Sequence, residues 1–143
     1  MATRMSEPLY TTEILRLAAS LDEPQELDRE DGRAELVSRT CGSRITLSVQ
    51  LDDRRCVQRL SMQVQACAFG QASAALLARH SRGKTHDEVS ETMLALSHWL
   101  AEEHPQPGWP GIAALEPART KRARHGAILL PFRALLAAME DAR

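Results

Sequence analysis

Residues 44–73 read RITLSVQLDDRRCVQRLSMQVQACAFGQAS, and a change of period inside this stretch decides the fold. Ile45, Leu47, Val49 and Leu51 alternate with Arg44, Thr46, Ser48 and Gln50, the pattern of a strand with one buried face. The polar run Asp52-Asp53-Arg54-Arg55 turns the chain, and Leu60, Met62, Val64 and Ala66 repeat the alternation. Beyond Cys67 the period of two is lost. The Ala- and Leu-rich segment Ala68–His80 reads as a helix that stops at Arg82-Gly83.

Outward from this stretch, a weaker strand over Ala34–Arg39 completes an antiparallel meander of three strands with one face buried. Before it, Ile14, Leu17, Ala18 and Leu21 recur at helical spacing, which predicts a helix over Thr11–Leu21. Thr11 is its N-cap, with Tyr10 and Leu15 placed as a hydrophobic staple. Asp22–Gly32, charged and containing Pro24, reads as a loop.

After Gly83, Thr85-His86-Asp87-Glu88 is a capping box, and Val89, Thr92, Met93, Leu96, Trp99 and Leu100 supply an apolar stripe. Pro105, Pro107, Gly108, Pro110 and Gly111 interrupt the helical pattern, and Ile112–Leu115 forms at most a short turn of helix. The basic stretch Arg119–Arg124 leads into a final helix carrying Ile128, Leu129, Phe132, Leu135, Leu136 and Met139, with Pro131 in its first turn or kinking it. Strands followed by helices imply an α+β fold: a three-stranded antiparallel sheet with helices packed on one face.

With 143 residues, the expectation is one domain over 1–143. Hydrophobic residues make up 43% but aromatic ones only 3%, so the core is expected to be built from Leu, Ala, Val, Ile and Met. A formal net charge of −1 argues against a protein that holds nucleic acid by counterion release. No apolar run reaches the roughly 18 residues of a spanning helix, so no membrane is expected. MATRMSEPLY lacks the apolar core of a secretory signal. Three cysteines, an odd number, suit a reducing cytoplasm better than a disulfide framework.

Two of those cysteines sit where elements end. Cys41 precedes Gly42 in the turn between two predicted strands, and Cys67 stands where the third strand hands over to a helix. A thiol at a helix N-terminus meets free backbone N–H groups and the positive end of the dipole, which favour thiolate, the soft metal ligand and the sulfur nucleophile. Only the fold can bring together two residues 26 apart. The remaining candidates have plainer readings. Cys56 reads as a strand or turn residue, His98 as solvent-facing or hydrogen-bonded, and His80, His86 and His104 as helix-end residues. Ser73 reads as a packing residue in an Ala-rich helix. Arg119–Arg124 reads as a solvated run or as a docking surface for an acidic partner. There is no phosphate-binding glycine loop, Ser-His-Asp order or paired-carboxylate hydrolase site.

Taken in order, Leu9-Tyr10…Ile14, Cys41-Gly42, Ala66-Cys67-Ala68-Phe69-Gly70-Gln71-Ala72-Ser73 and Arg82-Gly83-Lys84 resemble the IscU/NifU/SufU iron–sulfur cluster scaffolds. The resemblance implies an IscU/SufE-like fold, and a non-enzymatic protein that accepts sulfur from a cysteine desulfurase. It implies iron or a transient Fe–S cluster as cargo, zinc as an alternative metal, and apo-protein acceptors as further partners. Cys41, Cys67 and His125 are the ligands it implies. Three departures stand beside it. Ser43 replaces the aspartate of the family's Cys-Gly-Asp turn, Gly126 (or Ala127) stands where a third cysteine is usual, and Leu115-Glu116-Pro117-Ala118 only partly echoes the chaperone-recognition sequence. Two thiolates and one imidazole make three ligands, where structural zinc and most clusters take four. Water, a partner residue, Ser43 or a second subunit bridging the cluster would supply the fourth. The same departures suit a ligand-depleted family member that binds or regulates a desulfurase; a SufU-like zinc sulfurtransferase is the third reading, and the missing third cysteine counts against it.

Overall fold

The computed structural model describes residues 10–39, 41–103 and 105–142. Three antiparallel strands, β1 (Gly32–Val37), β2 (Arg44–Leu51) and β3 (Val57–Gln65), lie in the order β1-β2-β3. The register places Ile45 between Leu36 and Val64, Leu47 between Ala34 and Met62, and Val49 between Gly32 and Leu60. The alternation in the sequence thereby becomes one continuous apolar face, on which Ile45, Leu47 and Val49 are wholly buried. β1 lies two residues earlier than Ala34–Arg39. β3 starts at Val57, ahead of its alternating run, and the ladder shifts by one at Gln50/Leu51, where Leu51 pairs with Val57. The Val57 N–H donates to Lys84 O (3.0 Å), and Val57 O accepts from the Gly83 N–H (2.8 Å), a long-range pair that periodicity does not reveal.

The α-helices of the described residues are α1 (Thr12–Ala19), α2 (Ala68–His80), α3 (His86–Leu100) and α4 (His125–Asp141), and they lie on the apolar side of the sheet with α4 and α2 in contact with its strands. α4 lies against β1 and β2 and also meets α2 and α3, while α1 packs on α2. Ile112–Ala118 and Arg122–Arg124 are 3₁₀ segments. Among the described residues, no helix is long and apolar enough to cross a membrane.

The helix starts follow their caps. Thr11 Oγ1 accepts from the Ile14 N–H at 3.1 Å, and Thr85 and Glu88 form the reciprocal capping box. The expected staple is absent: α1 buries Ile14 and Leu17, leaving Leu15 51% exposed. Tyr10 stacks instead on Phe69 of α2, ring centroids 5.2 Å apart.

Close approaches fix the layers. A Cβ on Gly32 would lie 1.9 Å from Ala138 O, so β1 and α4 touch backbone to side-chain-free backbone. Pro131 occupies the second turn of α4 rather than the first, and removes the N–H that would serve Ala127 O. The wholly buried Ser73 hydroxyl donates to the adjacent carbonyl, Ile128 O, at 2.6 Å and ties α2 to α4 there. Trp109 Nε1 donates to Leu76 O at 2.9 Å and meets Phe132 edge-on at 5.3 Å, which pins the proline-rich connection against the helices.

Candidate functional site

The turn joining β1 to β2 is closed by two backbone bonds, from the Ser38 N–H to Ser43 O and from the Gly42 N–H to Ser38 O, each 2.8 Å. Gly42 takes a left-handed φ of 71°, which a side chain rarely adopts. The turn presents Cys41 to solvent above two buried serines. Cys41 Sγ is 3.0 Å from Ser43 Oγ and 3.5 Å from Ser38 Oγ. Partial burial pushes the Cys41 thiol up. Hydrogen bonds from the Ser38 and Ser43 hydroxyls and the Ser43 backbone N–H, with the charge of Arg124, outweigh it, so the thiol lies below its ordinary value.

Cys67 is the N-cap of α2, with extended backbone (φ −66°, ψ 172°), and its half-buried side chain makes no capping bond. The β2–β3 ladder places it. Arg44 pairs with Gln65, so the chain leaving β3 runs beside the turn that enters β2. Cys41 and Cys67 therefore share one end of the sheet.

His125 opens α4, and its Nε2 lies 2.9 Å from Ala118 O and 3.1 Å from Arg119 O. Both partners are acceptors, so Nε2 donates, which leaves Nδ1 as the ring nitrogen that could bind a metal. A carbonyl on the remote nitrogen is the usual way a ligating imidazole is oriented. Gly70 brings the starts of α2 and α4 together: a Cβ there would sit 2.7 Å from Ala66 Cβ and 3.2 Å from both Cβ and O of Ala127. The influence of Arg124 on Cys41 places the start of α4 at the same end.

The fold thus collects the three segments without closing a ligand shell. Among the described residues, no three His, Cys, Asp or Glu side chains are grouped so as to hold a metal ion. The Cys41 sulfur is turned to its serines and His125 Nε2 to its carbonyls. Ser43, where the family's aspartate would stand, contributes a buried hydroxyl and no charge. Gly126 follows His125 at the start of α4 and brings no third thiol.

Elsewhere the plain readings match the geometry. Cys56 lies in the turn before β3, its N–H on Asp52 Oδ1 at 2.9 Å. His98 Nδ1 is 3.2 Å from Glu103 Oε1, and His86 Nε2 is 2.7 Å from Glu140 Oε2. Leu9 and His104 fall outside the described residues. Arg119 departs from the solvated reading: its Nε donates to Trp99 O at 2.8 Å and its guanidinium lies 4.9 Å from the Trp99 ring centre, beside Glu116 at 3.4 Å. Ser38 was not among the sequence candidates, and only the closed turn reveals it. Arg124 was named only within the basic run Arg119–Arg124, and its influence on Cys41 emerges from the fold.

A family model for NifU-like N-terminal domains matches residues 9–106. The fold is similar to the crystal structure of a nitrogen-fixing NifU-like protein (N-terminal) from Brucella abortus, with a TM-score of 0.86 at 32% identity over 94% of each chain. It is also similar to a putative iron–sulfur cluster assembly scaffold protein for the SUF system from Fervidobacterium islandicum, with a TM-score of 0.79 at 20% identity, covering 92% of this chain and 96% of that one. No curated protein matches the chain.

Proposed function

Since the chain belongs to the NifU-like N-terminal domain family, within the IscU/NifU/SufU group of scaffolds, we propose that it accepts sulfur from a cysteine desulfurase and carries iron or a nascent Fe–S cluster to apo-protein acceptors. The observation that carries this reading is the Cys41 thiol, exposed yet held by two buried hydroxyls at the end of the sheet where Cys67 and His125 also stand. In the transfer step the Cys41 thiolate attacks the outer sulfur of a persulfide on the donor. The donor S–S bond breaks, its cysteine leaves as thiolate, and Cys41 becomes the persulfide, keeping the proton on the outer sulfur. Cys41 and Cys67 supply two thiolates to the cargo, and His125 supplies Nδ1 with its ring already oriented. The open fourth position suits cargo that has to leave. The protein acts as a carrier rather than as a catalyst on an organic substrate, and its three free cysteines support a reducing compartment such as the cytoplasm.

Anaerobic reconstitution with ferrous iron and inorganic sulfide tests the reading without any protein partner. The wild type is expected to gain broad visible absorption and retain iron, with both lost in Cys41→Ala and Cys67→Ala and weakened in His125→Ala. A colourless wild type that retains no more iron than these variants would refute it. Stoichiometric zinc in the purified protein would favour the zinc sulfurtransferase. The uncharged Ser43 and the thiol-free Gly126 favour the second reading, a family member that binds desulfurase without loading cargo.

A further inference from the structure

Charge is unevenly spread over this chain of net charge −1. The segments meeting at the candidate site, residues 38–44, 65–68 and 119–125, contain six basic residues and no acidic one. Arg119 is tied to Glu116 and Trp99. The other five are Arg39, Arg44, Lys121, Arg122 and Arg124, and among the described residues none forms an ion pair. Arg39, Arg44, Lys121 and Arg122 are exposed, and Arg124 is half-buried. Arg39 and Arg44 flank the turn that holds Cys41, and Lys121 and Arg122 approach the same end just ahead of His125. Val37, the last residue of β1, adds a 53% exposed apolar side chain. Five cations without an ion pair among the described residues, carried by the segments that meet at the Cys41 end of the sheet, give a positive rim with an apolar point at its edge.

We propose that this rim is a docking surface for a protein partner with an acidic surface around its reactive cysteine, and that the partner is the sulfur donor. This rests on the function proposed above. A sulfur donor must bring its persulfide within bonding distance of Cys41 and then leave, and opposite charge round the two thiols speeds encounter and fixes orientation without a large apolar interface.

Binding of the cysteine desulfurase from the same organism is measured by titration at low and high salt, with Arg39→Glu/Arg122→Glu as the rim variant. Arg39→Gln/Arg122→Gln is a milder form, and Arg16→Glu/Arg133→Glu changes the net charge equally elsewhere. Wild-type affinity is expected to fall about 10-fold or more between roughly 0.05 and 0.5 M NaCl, as screening shortens to a few ångströms. At low salt the rim reversal weakens binding about 10-fold or more, the neutral pair less, and the distant pair by under about 2-fold. The proposal is overturned by salt-independent binding, by equal loss in rim and distant variants, by no wild-type binding at low salt, or by a rim that drives only self-association. Loading with iron and inorganic sulfide is unchanged in the rim variants. Docking that survives while the wild type fails to load would sink the carrier function and leave the surface standing.

Discussion

Gly32→Ala tests how the sheet is locked to α4. The added Cβ would sit 1.9 Å from Ala138 O and 3.0 Å from the Ala138 carbonyl carbon and Ala142 Cβ. Side-chain carbons essentially never come closer than 3.0 Å to another heavy atom, so the helix and strand backbones must part by about 1 Å. No flexible side chain stands there to swing away. Overpacking of a filled interior costs about 1–3 kcal/mol, and a clash with main chain belongs at the upper end. Restricting the unfolded chain returns at most about 1 kcal/mol. A net loss of about 2–3 kcal/mol, at roughly 4 °C per kcal/mol for this size, lowers the melting temperature by about 10 °C. Thermal and urea unfolding followed by circular dichroism read the effect directly. Gly108→Ala is the control, because a Cβ there meets nothing within 4 Å and its φ is ordinary. If Gly32→Ala melts within about 2 °C of wild type, β1 and α4 are not in backbone contact and the layer packing described above is wrong.

Ser43→Ala removes the hydroxyl 3.0 Å from Cys41 Sγ. The thiol pKa then rises, and the pH–rate curve for alkylation at Cys41, followed by peptide mass spectrometry, moves to higher pH while its alkaline plateau stays. An unmoved curve would show that the serine does not stabilise the thiolate. Asp31 is held below the usual carboxylate value by the Arg29 guanidinium and then by the Leu51 N–H. Its contribution is present above the unfolded value of about 3.9 and lost as pH falls through the lower folded value. The stability gap between wild type and Asp31→Asn, from urea midpoints, should therefore be constant near neutrality and close in acid. A gap independent of pH would exclude this linkage.

Local rules made much of the fold legible. Ala68–His80 and the Thr85 capping box depend on neighbours three or four residues away, and the structure reproduces them at those positions. The strands were readable because Ile45, Leu47, Val49, Leu60, Met62 and Val64 alternate against polar neighbours. What escaped depends on distant partners. β3 begins early because Val57 pairs with the Gly83-Lys84 backbone. Tyr10 abandons the staple geometry for Phe69, 59 residues on. Pro131 is tolerated deeper in α4 than a first-turn rule allows, where Ser73 supports a neighbouring carbonyl. At the site, Cys41, Cys67 and His125 could be named from motif order, but the serine cradle needs the closed turn. The influence of Arg124 on Cys41 needs two segments about 80 residues apart to meet.

The place of α4 over β1 and β2 also bears on how the protein is made. A ribosome releases the whole sheet before it releases α4, and the Arg33 N–H waits for a bond to Asp141 Oδ2 across 108 residues. During that interval the apolar sides of Ile45, Leu47 and Val49 lack much of their cover, and the nascent chain presents a ready target for chaperones and proteases. A substitution that slows the seating of α4 would therefore reduce the yield of protein in the cell before changing what the finished molecule does.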